Sequence, residues 1–218
     1  MIEAVIDTPF SKFKPGEIMI YLAEPKMAFG MPLRTGSTTF ATLLKEWGAA
    51  EFPNPSRKHA YLCDVIKSMP EIVDYKLYGF MRNPLDRYLS IIRYMQKSEI
   101  AHFFAHELGI SIQEFYSLTP NSLHTLLAPN LDKINTKITA FFAPQTAWLK
   151  DAELLDFENY ELEILKIARF LGKTHVTIPH LNATNNKEPA TDEVKDFVQS
   201  YYADDCTLWK ERFGREIA

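Results

Sequence analysis

The chain reads as an α/β protein: a three-layer, mainly parallel sheet flanked by helices. Three observations predict this. Short apolar runs of strand length alternate with longer segments whose apolar residues recur at helical spacing. Two strand-to-helix corners, at 31–39 and 80–90, each combine an arginine with hydroxyl side chains and helix-start residues. No repeat, low-complexity stretch or linker interrupts the pattern, so residues 1–218 are expected to form a single domain.

Each element has its own local signal. Ile18–Ala23 and Met27–Met31 are short strands around Glu24-Pro25-Lys26, a hairpin in pattern. Pro32–Thr38 is turn-rich and opens a helix whose Phe40, Leu43, Leu44 and Trp47 form one apolar stripe, stopped by Gly48. A Pro- and Asn-containing loop from Phe52 to Arg57 leads to a helix with Leu62, Val65, Ile66 and Met69 inward, ended by Pro70. Lys76–Met81 is a buried strand. After it, Asn83 is a good N-cap and Pro84 occupies a position where its missing N–H costs nothing. Asp86 lies in the first turn, where the helix dipole favours a carboxylate, and Leu85, Tyr88, Leu89, Ile92 and Met95 carry the helix over 84–97.

From about 100 to 145 the pattern is mostly helical, with Ser111-Ile-Gln-Glu114 as a capping box before Phe115. Asp151–Phe157 reads as a strand. The helix after it is expected to bury Leu162, Leu165, Ala168 and Leu171 and to end at Gly172. Val176–Ile178 is expected as a last short strand, and the tail from Thr191 as helices with Val194, Phe197, Val198 and Tyr201 on one face.

Composition narrows the classes. Hydrophobic residues make up 46% and charged residues 24%, globular values. No apolar run approaches the ~20 residues that span a bilayer. The first residues lack the basic start and long apolar stretch of a secretory signal. Cys63 and Cys206 make neither a disulfide framework nor a metal-ligand spacing. The expectation is a cytoplasmic protein with no membrane partner. A net charge of −4 argues against nucleic acid. Residues 1–100 nevertheless hold 13 Lys and Arg against 11 Asp and Glu, a local basic excess in the half that carries both corners.

The second corner is the more informative. Arg82 stands at the carboxyl end of a strand and beside a helix N-terminus, where open α/β sheets bind ligands and where an anion is favoured. The hydroxyl of Ser90 follows about two helical turns on, close enough to share such an anion. In the first corner, Arg34-Thr35-Gly36-Ser37-Thr38-Thr39 combines a glycine, hydroxyls and a cation in the manner of a phosphate cradle. It is not a nucleoside-triphosphate loop, because Gly30 and Gly36 are one residue too far apart and Ser37 stands where the lysine belongs.

Both strings resemble segments of PAPS-dependent sulfotransferases (PAPS is 3′-phosphoadenosine 5′-phosphosulfate). Phe80–Ser90 is similar to that family's F-x-R-N/D-P-x-x-R-x-x-S segment, which implies that Arg82 and Ser90 bind the 3′-phosphate. Residues 34–39 resemble the 5′-phosphosulfate loop P-K-T-G-G-T-S, with Leu33 inserted after the proline and Arg34 in place of lysine. The resemblance implies that Arg34 stabilises the leaving phosphate. His59, in Arg57-Lys-His-Ala-Tyr61, is similar to a histidine of the carbohydrate-type enzymes and is the implied general base. Looser likenesses follow in order: Pro144-Gln145, with Phe141 where the family has histidine, then Leu155–Asn159 and Ile178–Thr184.

Taken together these imply a P-loop-containing sulfotransferase-like fold and sulfuryl transfer from PAPS to an acceptor hydroxyl, a saccharide in the first instance. PAP (3′,5′-adenosine bisphosphate) would be the product, and no metal is required. Two readings stay open beside it: a small-molecule kinase with a degenerate phosphate loop, and a non-catalytic module that binds PAPS or PAP. Neither the acceptor nor the oligomeric state has a signature in the sequence.

Overall fold

The computed structural model describes residues 19–51, 69–97, 100–137, 141–149, 151–178 and 188–217. His59, most of the helix expected before Pro70 and the 179–184 phrase lie outside those residues. Strands β1 (Met19–Leu22) and β2 (Met27–Gly30) form the expected hairpin, antiparallel, with Leu22 opposite Met27. Helix α1 (Ser37–Glu46) follows, and Gly48 leaves it at φ 97°. A two-residue strand, β3 (Ala50–Glu51), pairs antiparallel with β1. It is too short to have left a periodic signal.

Pro70 opens a 3₁₀ turn to Asp74 and leads into β4 (Lys76–Met81), parallel to β2. Helix α2 (Pro84–Lys97) has the bounds the cap residues predicted: Asn83 Oδ1 accepts from the N–H of Leu85 at 2.9 Å. Five short helices come next, α3 (Ala101–Leu108), α4 (Ile112–Ser117), α5 (Pro120–Leu127), α6 (Leu131–Lys137) and α7 (Thr146–Leu149). Ser111 caps α4 by accepting from Glu114 N. Strand β5 (Glu153–Asp156) pairs parallel with β4, and α8 (Tyr160–Phe170), α9 (Asp192–Tyr201) and α10 (Ala203–Phe213) complete the order.

The sheet order is β3-β1-β2-β4-β5. Its β2-β4-β5 part is parallel, and the hairpin makes the whole sheet mixed. Alternation along the strands sorts side chains to two faces. Phe29, Tyr78, Phe80 and Leu155 pack with Phe40 and Leu43 of α1 and Ile164 and Ile167 of α8. Met81 and Leu154 face the other way, against Trp148 and Leu149 of α7 and Trp209 of α10. Behind that face, α2 anchors a second core with Phe104, Phe115, Leu123 and Val198. The result is the three-layer arrangement expected.

Two close approaches set the spacing of α7. Gly30 and Gly79 are partners across β2 and β4. A Cβ on Gly79 would overlap the Leu149 side chain and lie 2.9 Å from the Gly30 carbonyl oxygen. The absent side chains let α7 press on the sheet.

Two expectations are corrected. In α8 the buried residues are Ile164, Ile167 and Ala168, whereas Leu162 and Leu165 are 53% and 45% exposed. The helix carries apolar residues on more than one face, and the sheet takes the face that meets Tyr78 and Phe80. Val176–Ile178 is not a strand; Val176 and Ile178 pack as irregular chain against the α1–α8 core.

Candidate anion-binding site

The carboxyl ends of β2 and β4 are neighbours, so the chain segments that leave them are brought side by side. From β2, the run Met31-Pro32-Leu33 is buried and delivers Arg34 with a φ of 68°, a left-handed conformation uncommon for a residue with a Cβ. The Arg87 guanidinium, 1% exposed, donates from Nε to the Leu33 carbonyl at 3.0 Å and so fixes the inserted residue against α2.

After Arg34 the loop tightens. The Thr35 hydroxyl donates to the Pro32 carbonyl at 2.7 Å, and Gly36 takes φ 73° as the residue preceding α1. The first intrahelical bond runs from Phe40 N to the Gly36 carbonyl at 3.1 Å, so the N–H groups of Ser37, Thr38 and Thr39 precede the ladder. Such an end favours negative charge. The Tyr160 hydroxyl, from the start of α8, also donates to the Gly36 carbonyl at 2.6 Å. Its ring lies where a Cβ on Gly36 would stand, 2.6 Å from Cε2.

From β4 comes Arg82. One of its Nη groups donates to the Arg34 carbonyl at 3.1 Å, joining corners 48 residues apart. Its guanidinium lies 4.8 Å from the Phe157 ring centroid, a cation–π contact. Arg34 reaches across to α2: Nε donates to Ser90 Oγ at 3.1 Å, and the guanidinium sits 4.8 Å from the centroid of Tyr94, one turn further along. Three sequence-predicted residues, Arg34, Arg82 and Ser90, thus meet in one place. Thr35 and Thr39 are buried in the loop, Gly36 and Ser37 half-buried, and Thr38 exposed.

Electrostatically the place concentrates positive charge in partly desolvated surroundings. Burial lowers the Arg82 pKa to about 10; Asp86 opposes the shift, while Arg34, Arg93 and Arg87 add to it. Arg34 and Arg87 are also pushed below the usual guanidinium range, chiefly by burial. Arg87 keeps one buried Nη without a hydrogen-bond partner. These cations are crowded where desolvation is costly.

Comparisons with known proteins add little to this geometry. No family model matches the chain. No curated protein matches it either. Among solved structures, a sulfotransferase from Alicyclobacillus acidocaldarius is similar over 71% of this chain, at 15% identity and a TM-score of 0.30. The match spans 59% of that chain, less than two thirds of its length.

Several residues that brace the site have roles that sequence reasoning does not give. Gln145, fully buried, holds the Arg82 peptide from both sides: its Oε1 accepts from Arg82 N at 2.9 Å and its Nε2 donates to Arg82 O at 2.8 Å. Gln145 is held in turn by Asp205 of α10, whose carboxylate accepts from the N–H groups of Gln145 and Thr146 at 2.7 and 2.8 Å. The Pro144-Gln145 phrase marks the glutamine, but nothing near Asp205 in the chain marks its partner. The carboxyl end of β5 is braced by Arg215, which meets both oxygens of Asp156 at 3.1 and 2.8 Å beside Phe157.

Proposed function

We propose that the protein is a PAPS-dependent sulfotransferase acting on an acceptor hydroxyl, with a saccharide as the first candidate. The observation that carries the reading is the junction of the two corners: Arg82 donates to the Arg34 carbonyl while Arg34 donates to Ser90, beside the N-terminus of α1. Partly buried arginines gathered at a strand end, beside a helix N-terminus, are a natural receptacle for anions.

In this reading Arg82 and Ser90 hold the 3′-phosphate, and residues 35–39 hold the 5′-phosphosulfate. The donor supplies an activated sulfuryl group whose bond to the phosphate oxygen breaks as the acceptor oxygen bonds to sulfur. The chain contributes alignment and charge. The leading N–H groups of α1, with Ser37, Thr38 and Thr39, face the oxygens that gain negative charge. His59 is proposed to take the acceptor proton.

Thermal-shift and titration experiments test this. PAP without metal should stabilise the protein, and ATP with magnesium should not; the reverse result would favour a kinase. Arg82→Ala should weaken PAP binding about 10- to 100-fold, the loss expected for a charge-assisted contact, while the melting temperature of the free protein stays nearly unchanged. Equal PAP affinity in wild type and variant would reject the assignment. Transfer of labelled sulfate to a saccharide panel separates an enzyme from a module that only binds.

A further inference from the structure

The position of the Arg34 side chain points to a different duty from that of a loop cation at the leaving group. We infer that Arg34 is a specificity residue for a phosphate monoester, completing a three-point grip with Arg82 and Ser90 on the 3′-phosphate. The inference rests on the sulfotransferase reading for which end of the ligand Arg82 and Ser90 hold.

Four observations carry it. Arg34 has a left-handed backbone, and its side chain reaches α2. Its Nε is already on Ser90 Oγ, 3.1 Å away, so the guanidinium lies beside the hydroxyl that serves the monoester. The Tyr94 ring, 4.8 Å from the guanidinium carbon, supports it in that orientation. Arg82 is a close neighbour, through its 3.1 Å contact to the Arg34 carbonyl and the charge repulsion between the two guanidinium groups. Among the described residues no carboxylate pairs with Arg34 and none bonds its Nη groups, so with Nε on Ser90 these can meet a tetrahedral dianion.

Two neighbouring guanidinium groups and a hydroxyl suit a phosphate bearing two negative charges and three unesterified oxygens, since arginine presents paired donors. They suit a singly charged diester poorly. Charge on the departing 5′-phosphate then falls to the α1 N-terminus and its hydroxyls. In this inference the extra residue Leu33, whose carbonyl Arg87 holds, accounts for the cation serving the other end of the ligand.

The test compares PAP with 5′-AMP, which lacks only the 3′-phosphate, by titration calorimetry on wild type, Arg34→Gln, Arg34→Lys and Ser90→Ala. Wild type should prefer PAP by at least about 100-fold. Arg34→Gln should remove about 10- to 100-fold of PAP affinity and leave 5′-AMP affinity unchanged, so that the preference collapses. Arg34→Lys, which keeps the charge, should retain part of the preference if Arg34→Gln proves too unstable to measure. If either Arg34 variant weakens PAP and 5′-AMP by the same factor, Arg34 serves the 5′ end and the inference fails while the sulfotransferase reading stands. If wild type itself shows no preference for PAP, the reading beneath it fails as well.

Discussion

At Gly36 two independent demands fall on one residue. Its φ of 73° excludes most side chains, and the Tyr160 ring fills the space a Cβ would need. Gly36→Ala should therefore cost about 1–3 kcal/mol, read as a lowered urea midpoint, and should weaken ligand binding by displacing the start of α1. An unchanged midpoint would show that the loop tolerates both strains. Arg34 marks the limit of legibility at this scale. Arg82 and Ser90 could be placed from sequence because an N-cap, a proline and a helical stripe fix them locally. The direction of Arg34 depends on a carbonyl held by Arg87 at a chain distance of 54 residues, which no local pattern encodes.

For whole elements, α8 separates periodicity from packing. Ile164 and Ile167 meet the sheet, and Leu162 and Leu165 do not. Ile167→Ala should destabilise by about 2–4 kcal/mol, and Leu165→Ala by less than about 1 kcal/mol, in denaturant titrations. Comparable losses at both positions would mean that the exposed face is covered in solution. The strand–loop–helix units were legible because caps and alternation act within a few residues. The α8 face was not, because the partner surface chooses among the several apolar faces of that helix. Helices α7 and α10 show the same long-range dependence. Asp205→Ala removes the acceptor of two buried N–H groups, and should weaken PAP binding through Gln145 although α10 itself makes no contact with Arg82 in the present hydrogen-bond pattern.

Across the whole molecule, two buried groups give stability an acid dependence with a fixed sign. His124 is 1% exposed and shares a 2.8 Å hydrogen bond with the Tyr88 hydroxyl. Burial lowers its pKa from 6.5, with Glu193 opposing. The unfolded chain therefore takes up this proton first, and stability is lost as pH falls below 6.5 through the folded value. His124→Gln should flatten that part of the curve, measured as urea midpoint against pH; an identical slope would exclude His124. Burial alone would raise Asp156, but the Arg215 hydrogen bond, with those from Glu158 N and Asn159, outweighs it and leaves its pKa below 3.8. Its contribution persists to lower pH and disappears as the pH falls through that depressed value.

The glycine pair at 30 and 79 has a reach beyond its own strands. Because α7 can settle into the notch they leave, Gln145 is near enough to grasp the Arg82 peptide. Bulk added at 79 would lever the helix outward and loosen ligand recognition at the sheet edge without touching a single binding side chain. Trimming Leu149 to alanine alongside Gly79→Ala should restore much of that affinity, so positions 79 and 149 are expected to vary together rather than singly.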